Sequence, residues 1–292
     1  MSEFLSQPVF RVVRPGPRTT LQDAGREGFK RWGIPVGGAM NGAVLRDLNR
    51  LFDHEPNTAA YEMLWAGLEL YCVRDAWVAY DGAAHGYLQG EKIAARRTIF
   101  VRAGETIRFT ASSEGPWSYL MMAGGWLGDS WFGSRSAWPE GGMGACLKAH
   151  DSLYAATANA WQCPPAVNAR FIPQSAPPKN DFIRVWKGPQ WEEFDQKAKE
   201  DFFLTDWRIS EQSSRAGYRL QGPVLTVPPA QLISEPTLIG SIQIAGNGQP
   251  IVLLNDGPTV GGYHKIALID RDDLDHFRQT PPGQKVRFSL LP

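Results

Sequence analysis

The sequence has little of what metal sites, disulfide frameworks and membrane spans require. Its 292 residues hold three cysteines, Cys72, Cys146 and Cys163, whose odd number and wide spacing are typical of reduced thiols in a cytosolic protein. There is no His-x-x-His or Cys-x-x-Cys pair, so we expect no bound metal. No stretch approaches the roughly 18 uninterrupted apolar residues of a membrane helix, and no secretory signal is visible at the N-terminus. We therefore expect a cytoplasmic protein without a metal centre.

Net charge is also absent, because 30 lysines and arginines balance 30 aspartates and glutamates. Proteins that bind nucleic acid or anionic membranes need a basic surface, so we expect neither as a partner. Glycine and proline are abundant instead, at 30 and 22 residues, and they favour short strands and many turns over long helices. Eleven tryptophans are compatible with an extensive protein interface or simply with a tryptophan-rich core.

The hydrophobic pattern predicts mostly β structure. Short β-rich segments bounded by glycine or proline occur at 9–13, 77–80, 98–101, 106–109 and 251–254. Helical spacing is found after Asn41, which can cap a helix that has Leu45 and Leu48 on one face, over 191–202, and after Asp270. The sequence therefore predicts a mainly β fold with a few short helices.

Fragments of the first half of the chain return in the second half in the same order. The recurring pairs are 11–17 with 184–189, 62–70 with 218–225, and 102–109 with 281–288. Strand-turn-strand fragments also recur by chance, but the preserved order favours an internal duplication. Five prolines between Cys163 and Lys179 mark a natural linker. We predict an N-terminal β domain over 1–162, a proline-rich linker over 163–180 and a C-terminal β domain over 181–292.

Two segments look like catalytic signatures and fail the test of spacing. Gly133-Ser134-Arg135-Ser136 lacks the second glycine of a nucleophile elbow. The segment 257–265, GPTVGGYHK, has neither Walker spacing nor a hydroxyl residue after its lysine. Gly261 and Gly262 would still allow close backbone approach to an anionic ligand, with Lys265 supplying charge. The alternative is an ordinary turn with a solvated lysine.

Three polar clusters, each next to glycine, are of the kind that loop-borne sites use. The cluster at 19–26 is either functional or a turn in which Asp23 binds local amides. The cluster at 213–219 has two arginines that either clamp an anion or hold a loop through an internal ion pair. The third cluster combines Glu235, Gln243 and Asp256, which suit acid–base work or are surface residues.

Taken together, these segments resemble a known family. The resemblance rests on TTLQDAGREGF (19–29), GIPVGGAM (33–40), GSRS (133–136), SSRAGYRLQGP (213–223), ISEPTLIGSIQI (233–244), GQPIVLLNDGPTVGGYHKIA (248–267) and PGQKVRF (282–288). In order and spacing they are similar to the biotin-dependent carboxyltransferase-like proteins, also called allophanate hydrolase subunit 2, KipA or the C subunit of 5-oxoprolinase. The fold that this resemblance implies is a pair of tandem cyclophilin-like β-barrels.

The resemblance also implies partners and a reaction. The partners are a KipI-like protein, which is the B subunit of such complexes and forms a heterodimer or heterotetramer with this chain, and a third subunit of the LamB/YcsF type. Such a complex resembles bacterial 5-oxoprolinase, an ATP-dependent hydrolase that opens the cyclic amide 5-oxoproline to L-glutamate. ATP is then used in the complex, not necessarily on this chain, and biotin is not covalently attached to this chain. The alternatives are the carboxyltransferase half of a urea-carboxylase-like biotin-dependent enzyme, a non-catalytic regulatory partner of a KipI-like protein, and a stand-alone small-molecule carrier.

Carried over residue by residue, the resemblance assigns catalysis to Arg215, Glu235, Asp256 and Lys265. It assigns substrate binding to residues of both halves, namely Gln22, Asp23, Arg26, Ser134, Arg135, Tyr218, Arg219, Gln243, Gln249, Thr259, Gly261, Gly262 and Tyr263. We hypothesise that Arg215 and Lys265 neutralise a phosphoryl or carboxylate group. Backbone amides of Gly261 and Gly262 would hold oxyanion charge, and Asp256 or Glu235 would accept a proton.

Several positions depart from the pattern expected of the family. They are Gly37, Asn41, Ser214, Ala216, Pro236, Val260 and His264. The loss of an acid at Ser214 and of a hydroxyl at Val260 falls within the expected site, and His264 adds a group that titrates near neutral pH. These departures leave open a divergent member with another substrate and a member whose catalysis has faded.

Overall fold

A computed structural model describes residues 7–157, 171–173, 182–229 and 232–292. The chain divides into two compact units. Unit 1 takes its described residues from Met1–Arg26 and Gly37–Ser175, and unit 2 from Glu27–Val36 and Ala176–Pro292. The segment Glu27–Val36 thus belongs to unit 2, although its neighbours in sequence belong to unit 1. The predicted linker over 163–180 lies outside the described residues except for 171–173, and the predicted domain boundaries stay a prediction.

Unit 1 is built from two β-sheets and one helix in its described part. Its strands are β1 (Phe10–Pro15), β2 (Arg18–Gln22), β3 (Ala60–Leu64), β4 (Leu68–Cys72), β5 (Ala76–Gly82), β6 (His85–Leu88), β7 (Glu91–Ile93), β8 (Thr98–Val101), β9 (Thr106–Thr110), β10 (Trp117–Met122) and β11 (Ser152–Leu153). One sheet has the order β11-β1-β4-β9-β6-β7 and the other β2-β3-β10-β5-β8. Buried side chains such as Phe10 and Trp126, whose ring centroids lie 5.9 Å apart, form the core.

The helix of unit 1, α1 (Gly42–Leu51), starts where the sequence predicts. The side chain of Asn41 accepts a hydrogen bond from the amide of Val44 and so caps the first turn. Leu45, Leu48 and Leu51 are buried at helical spacing, which fixes the face that packs on the core. The predicted helix after Asn41 is confirmed.

Unit 2 contains an eight-stranded sheet, a two-stranded ribbon and two helices in its described part. Its elements are β12 (Ile183–Lys187), α2 (Gln196–Leu204), β13 (Trp207–Ile209), β14 (Gly217–Gln221), β15 (Glu235–Pro236), β16 (Ser241–Ile244), β17 (Pro250–Leu253), β18 (Val260–Gly261), β19 (Lys265–Ile269), α3 (Arg271–Gln279), β20 (Lys285–Val286) and β21 (Phe288–Leu290). The sheet order is β20-β13-β14-β17-β16-β19-β12-β21, and the ribbon pairs β15 with β18.

The two edge strands of the large sheet show that it curls into a barrel. Strands β20 and β21 lie at opposite edges in the hydrogen-bonding order, yet only Arg287 separates them in sequence. One residue spans at most about 3.5 Å, so the two edges must approach each other. A sheet that closes in this way buries one of its faces. Trp207 and Phe288 of the sheet are fully buried, and the ring of Phe202 on α2 packs against both of them.

The predicted fold class is confirmed: the protein is mainly β, in tandem barrel units with few short helices. All five predicted strand segments fall on strands except for their end residues Val9 and Leu254, which lie just outside β1 and β17, and Asp270 caps α3. The prediction of one helix over 191–202 is wrong at its start, since Trp191–Glu193 is a separate 3-10 turn. Asp195 accepts a hydrogen bond from the amide of Ala198 and begins α2 only at Gln196. No helix within the described ranges has the length and apolar character needed to cross a bilayer.

Candidate functional site

The central feature of unit 2 is an ion pair between Lys265 and Glu235. Lys265 is the first residue of β19 and Glu235 the first residue of β15. Nζ of Lys265 lies 2.5 Å from Oε1 of Glu235. The lysine side chain is only 4% exposed, whereas the glutamate side chain is 35% exposed. The structure therefore brings together two of the four predicted catalytic residues, with the carboxylate on the solvent side.

A third residue, Gln190, holds both members of the pair. Its Nε2 donates to Oε1 of Glu235 at 2.9 Å, and its Oε1 accepts from the backbone amide of Lys265 at 3.1 Å. The hydrogen bond from Lys265, followed by that from Gln190, lowers the pKa of Glu235 against the opposing effect of burial. Among the described residues both bonds reach Oε1, so Oε2 is left to accept from a ligand. No sequence motif marked Gln190, whose only signal is its place after the recurring Gly188-Pro189.

Gly188 supports the same strand through its backbone. Its amide donates to the carbonyl of Ile266 at 2.9 Å. A Cβ on Gly188 would lie 2.7 Å from the carbonyl carbon of Lys265 and 2.8 Å from the amide nitrogen of Ala267. Only glycine fits at this position, because the atoms in the way are backbone and cannot swing aside. The turn that carries Gln190 is thereby pressed against the start of β19.

Gln243 and Gly261 complete this cluster. Gln243 on β16 lies opposite Lys265 on β19 at a register irregularity, and Gly261 lies opposite Glu235 in the ribbon. A Cβ on Gly261 would be 2.8 Å from Nε2 of Gln243, so the missing side chain leaves room for this amide. Nε2 is buried and donates no hydrogen bond within the described part of the chain. Predicted Gln243 and Gly261 thus join the Lys265–Glu235 pair.

The ribbon is anchored by Lys30, a residue that the sequence did not mark. Nζ of Lys30 donates to the carbonyl of Thr237 at 2.9 Å, and burial lowers the pKa of Lys30. Thr237 in turn donates from its amide to the carbonyl of Thr259 at 3.1 Å and from its hydroxyl to Pro258. Predicted Thr259 therefore lies next to the cluster and takes part through its backbone.

His264, which precedes Lys265, is buried beside Glu193. Its Nε2 lies 3.3 Å from Oε2 of Glu193, close enough for an ion pair if the ring is protonated, but not aligned as a hydrogen bond. The ring meets Phe194 edge-on at 6.1 Å.

The other two predicted catalytic residues, Arg215 and Asp256, pair with each other. Nε of Arg215 lies 2.7 Å from Oδ2 of Asp256, and Nη2 lies 3.0 Å from Oδ1. Both side chains are buried, and the amide of Asp256 donates to the carbonyl of Arg215 at 3.0 Å. This bidentate pair is the internal ion pair that the sequence left open as an alternative. Each charge largely neutralises the other.

Three further predicted residues bond elsewhere in unit 2. The hydroxyl of Tyr218 donates to the carbonyl of Arg278 at 2.8 Å in the core. The side-chain amide of Gln249 holds the backbone of Gly222 at 2.9 and 3.1 Å. Arg219 is exposed. None of these contacts reaches Lys265 or Glu235. Gly262 and Tyr263 lie on the short link between β18 and β19.

A second cluster, in unit 1, is centred on Asp23. Its carboxylate accepts from the amides of Gly25 and Arg135 at 2.8 and 2.6 Å and from the hydroxyls of Ser134 and Ser136 at 2.7 and 2.6 Å. The bond to Gly25 is the local turn that the sequence offered as the alternative to function. A carboxylate with this many donors is held in place as the junction of two loops.

Gln22 and Arg26 bind the same loops. The side-chain Nε2 of Gln22 donates to the carbonyl of Ala137 at 3.0 Å, and the guanidinium of Arg26 donates to the carbonyl of Ser136. The structure thus brings together five predicted residues of unit 1: Gln22, Asp23, Arg26, Ser134 and Arg135. The sequence missed Ser136, although it ends the quoted GSRS segment.

A buried carboxylate that the sequence missed also lies in unit 1. Oε2 of Glu62 accepts from the amide of Met40 and the hydroxyl of Tyr119, each at 2.7 Å. The amide of Asn41 donates to the same hydroxyl at 2.7 Å. Glu62 lies in the middle of an otherwise apolar strand, which was the available signal. Its bonds hold the start of α1.

Comparison with known proteins identifies relatives across nearly the whole chain. The family model described as carboxyltransferase domain, subdomain A and B, matches residues 32–290. The C subunit of 5-oxoprolinase from Escherichia coli (strain K12) is 34% identical over 286 residues, which cover 96% of this chain and 90% of that protein. Two solved structures are also similar. The chain called TTHA0988 has a TM-score of 0.87 and 29% identity, and the urea carboxylase of Kluyveromyces lactis a TM-score of 0.86 and 27% identity. The match to TTHA0988 includes 97% of this chain and 56% of that longer chain. The match to the urea carboxylase includes 99% of this chain and 28% of that longer chain.

Proposed function

The protein belongs to the carboxyltransferase domain family, subdomain A and B, and on this premise we propose that it is part of an ATP-dependent 5-oxoprolinase-type complex. In this reaction 5-oxoproline, ATP and water give L-glutamate, ADP and phosphate. The proposed partners are a KipI-like subunit and a third subunit of the LamB/YcsF type. The proposal is supported by the likeness to a protein named as the C subunit of 5-oxoprolinase, along 90% of that protein's length.

The observation that carries the proposal is the Lys265–Glu235 pair. A cyclic amide presents an N–H donor and a C=O acceptor on adjacent atoms of one edge. An ammonium has three N–H donors, and the bond to Glu235 uses one of those of Lys265. Lys265 can therefore donate to the amide oxygen, while Oε2 of Glu235 accepts from the N–H or from an incoming water. The pair offers a charged donor and a charged acceptor side by side.

The lowered pKa of Glu235 keeps the group charged, which suits an acceptor of hydrogen bonds. The hydrogen bond from Lys265 lowers this pKa, so the group is a carboxylate at neutral pH. Opening the ring needs a proton to leave the attacking water and positive charge to stabilise the oxygen of the former amide. In our proposal Glu235 receives that proton and delivers it to the ring nitrogen as the C–N bond breaks. Lys265, assisted by the amides of Gly261 and Gly262, stabilises that oxygen. Arg215 and Asp256 position the neighbouring loop.

The two cationic residues assigned to catalysis, Lys265 and Arg215, do not suit the binding of ATP. A triphosphate needs several unpaired cationic or amide donors, whereas Lys265 already neutralises Glu235 and Arg215 already neutralises Asp256. We therefore place nucleotide binding on another subunit and derive no step through ATP on this chain. This division of labour agrees with a function that needs the assembled complex.

Reconstitution of the complex tests the proposed function. This chain, the KipI-like subunit and the third subunit, taken from one genome, are purified and mixed, and ADP and L-glutamate are measured with 5-oxoproline present. Product formation that needs all three chains supports the proposal. ATP hydrolysis whose rate does not depend on 5-oxoproline, or the absence of ATP hydrolysis, contradicts the proposal.

A second candidate is the carboxyltransferase half of a urea-carboxylase-like enzyme. It is supported by the likeness to the Kluyveromyces lactis urea carboxylase over 99% of this chain. Urea has the same N–H and C=O edge as a cyclic amide, so the same pair of residues would suit it. Biotin on another chain would carry the carboxyl group. Urea-dependent ATP hydrolysis with a biotinylated partner, in place of 5-oxoproline-dependent hydrolysis, would favour this candidate. If neither occurs and the chain still binds the KipI-like subunit, the non-catalytic regulatory function is favoured.

A further inference from the structure

Lys30 is a partly buried cation of unit 2 that has no carboxylate beside it in the described part of the chain. Five other lysines and arginines described in this unit are buried or partly buried, and each forms an ion pair with an aspartate or a glutamate: Arg184, Lys199, Arg215, Lys265 and Arg278. Burial without such a partner lowers the pKa of Lys30. A cation that is withdrawn from water without a counterion is unfavourable, so this position favours the binding of an anion.

The ammonium group of Lys30 also has hydrogen-bond donors to spare. Its Nζ donates to the carbonyl of Thr237 at 2.9 Å. An ammonium has three N–H donors, so this bond leaves two of them without an acceptor among the described residues. The carbonyl is neutral and does not compensate the charge. Lys30 therefore offers both a positive charge and donors to an oxyanion.

The bond to Thr237 places Lys30 next to the Lys265–Glu235 pair. Thr237 follows Glu235 by two residues, and its amide continues the ribbon by donating to the carbonyl of Thr259 at 3.1 Å. Extended backbone advances about 3.3 Å per residue, which places the carbonyl bound by Lys30 about 7 Å along the chain from Glu235. One small molecule that bonds to the Lys265–Glu235 pair can thus reach Lys30 with a second group.

We infer that Lys30 determines specificity by binding the carboxylate of the substrate, so that the site selects cyclic amides with an acidic group next to the ring nitrogen. The inference rests on the proposed function. 5-Oxoproline carries its carboxylate on the ring carbon beside the N–H, so one molecule presents the amide edge to the Lys265–Glu235 pair and the charge to Lys30. Hydrogen bonds between an ammonium and a carboxylate are stronger than those between neutral groups. Urea and unsubstituted cyclic amides have no carboxylate and leave Lys30 without a counterion.

Steady-state kinetics of the reconstituted complex with variants of Lys30 test the inference. Lys30→Met removes the charge, Lys30→Gln removes the charge but keeps a donor for the carbonyl of Thr237, and Lys30→Arg keeps the charge. The control is Lys197→Met, which replaces an exposed lysine of α2. We expect the KM for 5-oxoproline to rise about tenfold or more for Lys30→Met and Lys30→Gln, with kcat within about threefold, because a contact made equally in the ground and transition states acts on KM. Lys30→Arg and the control should stay within about threefold of the natural KM.

2-Pyrrolidone, the same ring without the carboxylate, separates recognition of the charge from support of the ribbon. As a competitive inhibitor of 5-oxoproline turnover it should have the same Ki in the natural complex and in all Lys30 variants. A Ki for 2-pyrrolidone that rises as much as the KM for 5-oxoproline, or a natural KM in Lys30→Gln, would make Lys30 a purely structural anchor and overturn the inference. Circular dichroism verifies that each variant is folded, and Lys30→Gln and Lys30→Arg carry the comparison if Lys30→Met does not fold.

The natural complex distinguishes failure of this inference from failure of the proposed function. A natural complex that turns over 5-oxoproline, with every Lys30 variant keeping the natural KM, would overturn the role of Lys30 and leave the proposed function intact. A natural complex that does not turn over 5-oxoproline would overturn both.

Discussion

Nζ of Lys265 and Oε1 of Glu235 lie 2.5 Å apart, and the side chain of Gln190 bonds to both residues. The three come from β19, β15 and the turn after β12, which are far apart in sequence and converge at one end of the large sheet. A charged donor and a charged acceptor are thereby fixed side by side.

Gly188→Ala should destabilise the protein strongly. The new Cβ would meet backbone atoms of Lys265 and Ala267, so either the turn or β19 must move. Overpacking typically costs about 1–3 kcal/mol, and a clash with backbone belongs at the upper end of that range. The control is Gly246→Ala, where a Cβ would meet nothing within 4 Å. The free energy of unfolding in urea should fall for the first variant and stay within about 0.5 kcal/mol for the control. Equal stabilities would show that the close contact is not needed.

Arg215→Ala should cost about 3–5 kcal/mol, because Asp256 would be left buried and unpaired. The control is Lys197→Ala, which removes an exposed, solvent-screened pair with Asp201 on α2 and should leave the stability almost unchanged. Urea denaturation measures both values. The double variant Arg215→Met with Asp256→Leu should be more stable than Arg215→Ala. If Arg215→Ala were as stable as the control, the pair would not hold the loop.

His54→Gln should remove part of the loss of stability in acid. Burial lowers the pKa of His54 from 6.5 to about 4, against the attraction of Asp53. The folded state therefore binds the proton less readily than the unfolded state. The stability that His54 contributes is present above pH 6.5 and is lost as the pH falls toward 4.

Unfolding free energies between pH 6.5 and pH 5 measure this effect. The natural protein should lose up to about 2 kcal/mol more than His54→Gln over this interval. The exposed His276→Gln is the control and should keep the loss. Parallel curves for the natural protein and His54→Gln would contradict a neutral, buried His54.

Gln190→Ala should shift the acid limb of the pH profile of kcat/KM upward. Hydrogen bonds from Lys265 and from Gln190 hold the pKa of Glu235 in the folded protein below the 4.5 of the unfolded chain. Glu235 is therefore charged above pH 4.5, and it is neutralised only when the pH falls through its lowered pKa. Loss of the Gln190 bond raises that pKa. The control is Gln196→Ala on the exposed surface of α2. A lower kcat with an unmoved acid limb would make Gln190 a purely structural residue.

The fold was largely predictable from local patterns. Strand segments such as 98–101 and 106–109 and the caps Asn41 and Asp270 depend on neighbours in sequence, and the structure confirms them. The start of α2 was not predicted, because the apolar residues of 191–194 continue the helical spacing while Asp195 caps the helix after them. The spacing of apolar residues alone does not show at which of two possible N-terminal positions the helix begins.

The candidate site was only partly predictable. Glu235, Gln243 and Lys265 stood in the quoted segments, but their meeting depends on a register irregularity between β16 and β19 that no short pattern encodes. Gln190 and Lys30 belong to no recognisable motif. Gln190 acts through two long-range hydrogen bonds and Lys30 through one. An internal ion pair is one of two interpretations of the arginines at 213–219, but the sequence does not identify the partner of Arg215, because Asp256 lies 41 positions away.

The most direct test of the account is the kcat of Lys265→Met in the reconstituted complex with 5-oxoproline and ATP. Lys285→Met, an exposed lysine of the same unit, is the control. The account predicts that kcat falls about 100-fold or more for Lys265→Met, because the charge that stabilises the amide oxygen is lost, while assembly of the complex and the control remain normal. A Lys265→Met complex that assembles and keeps kcat within twofold of the natural one would contradict it.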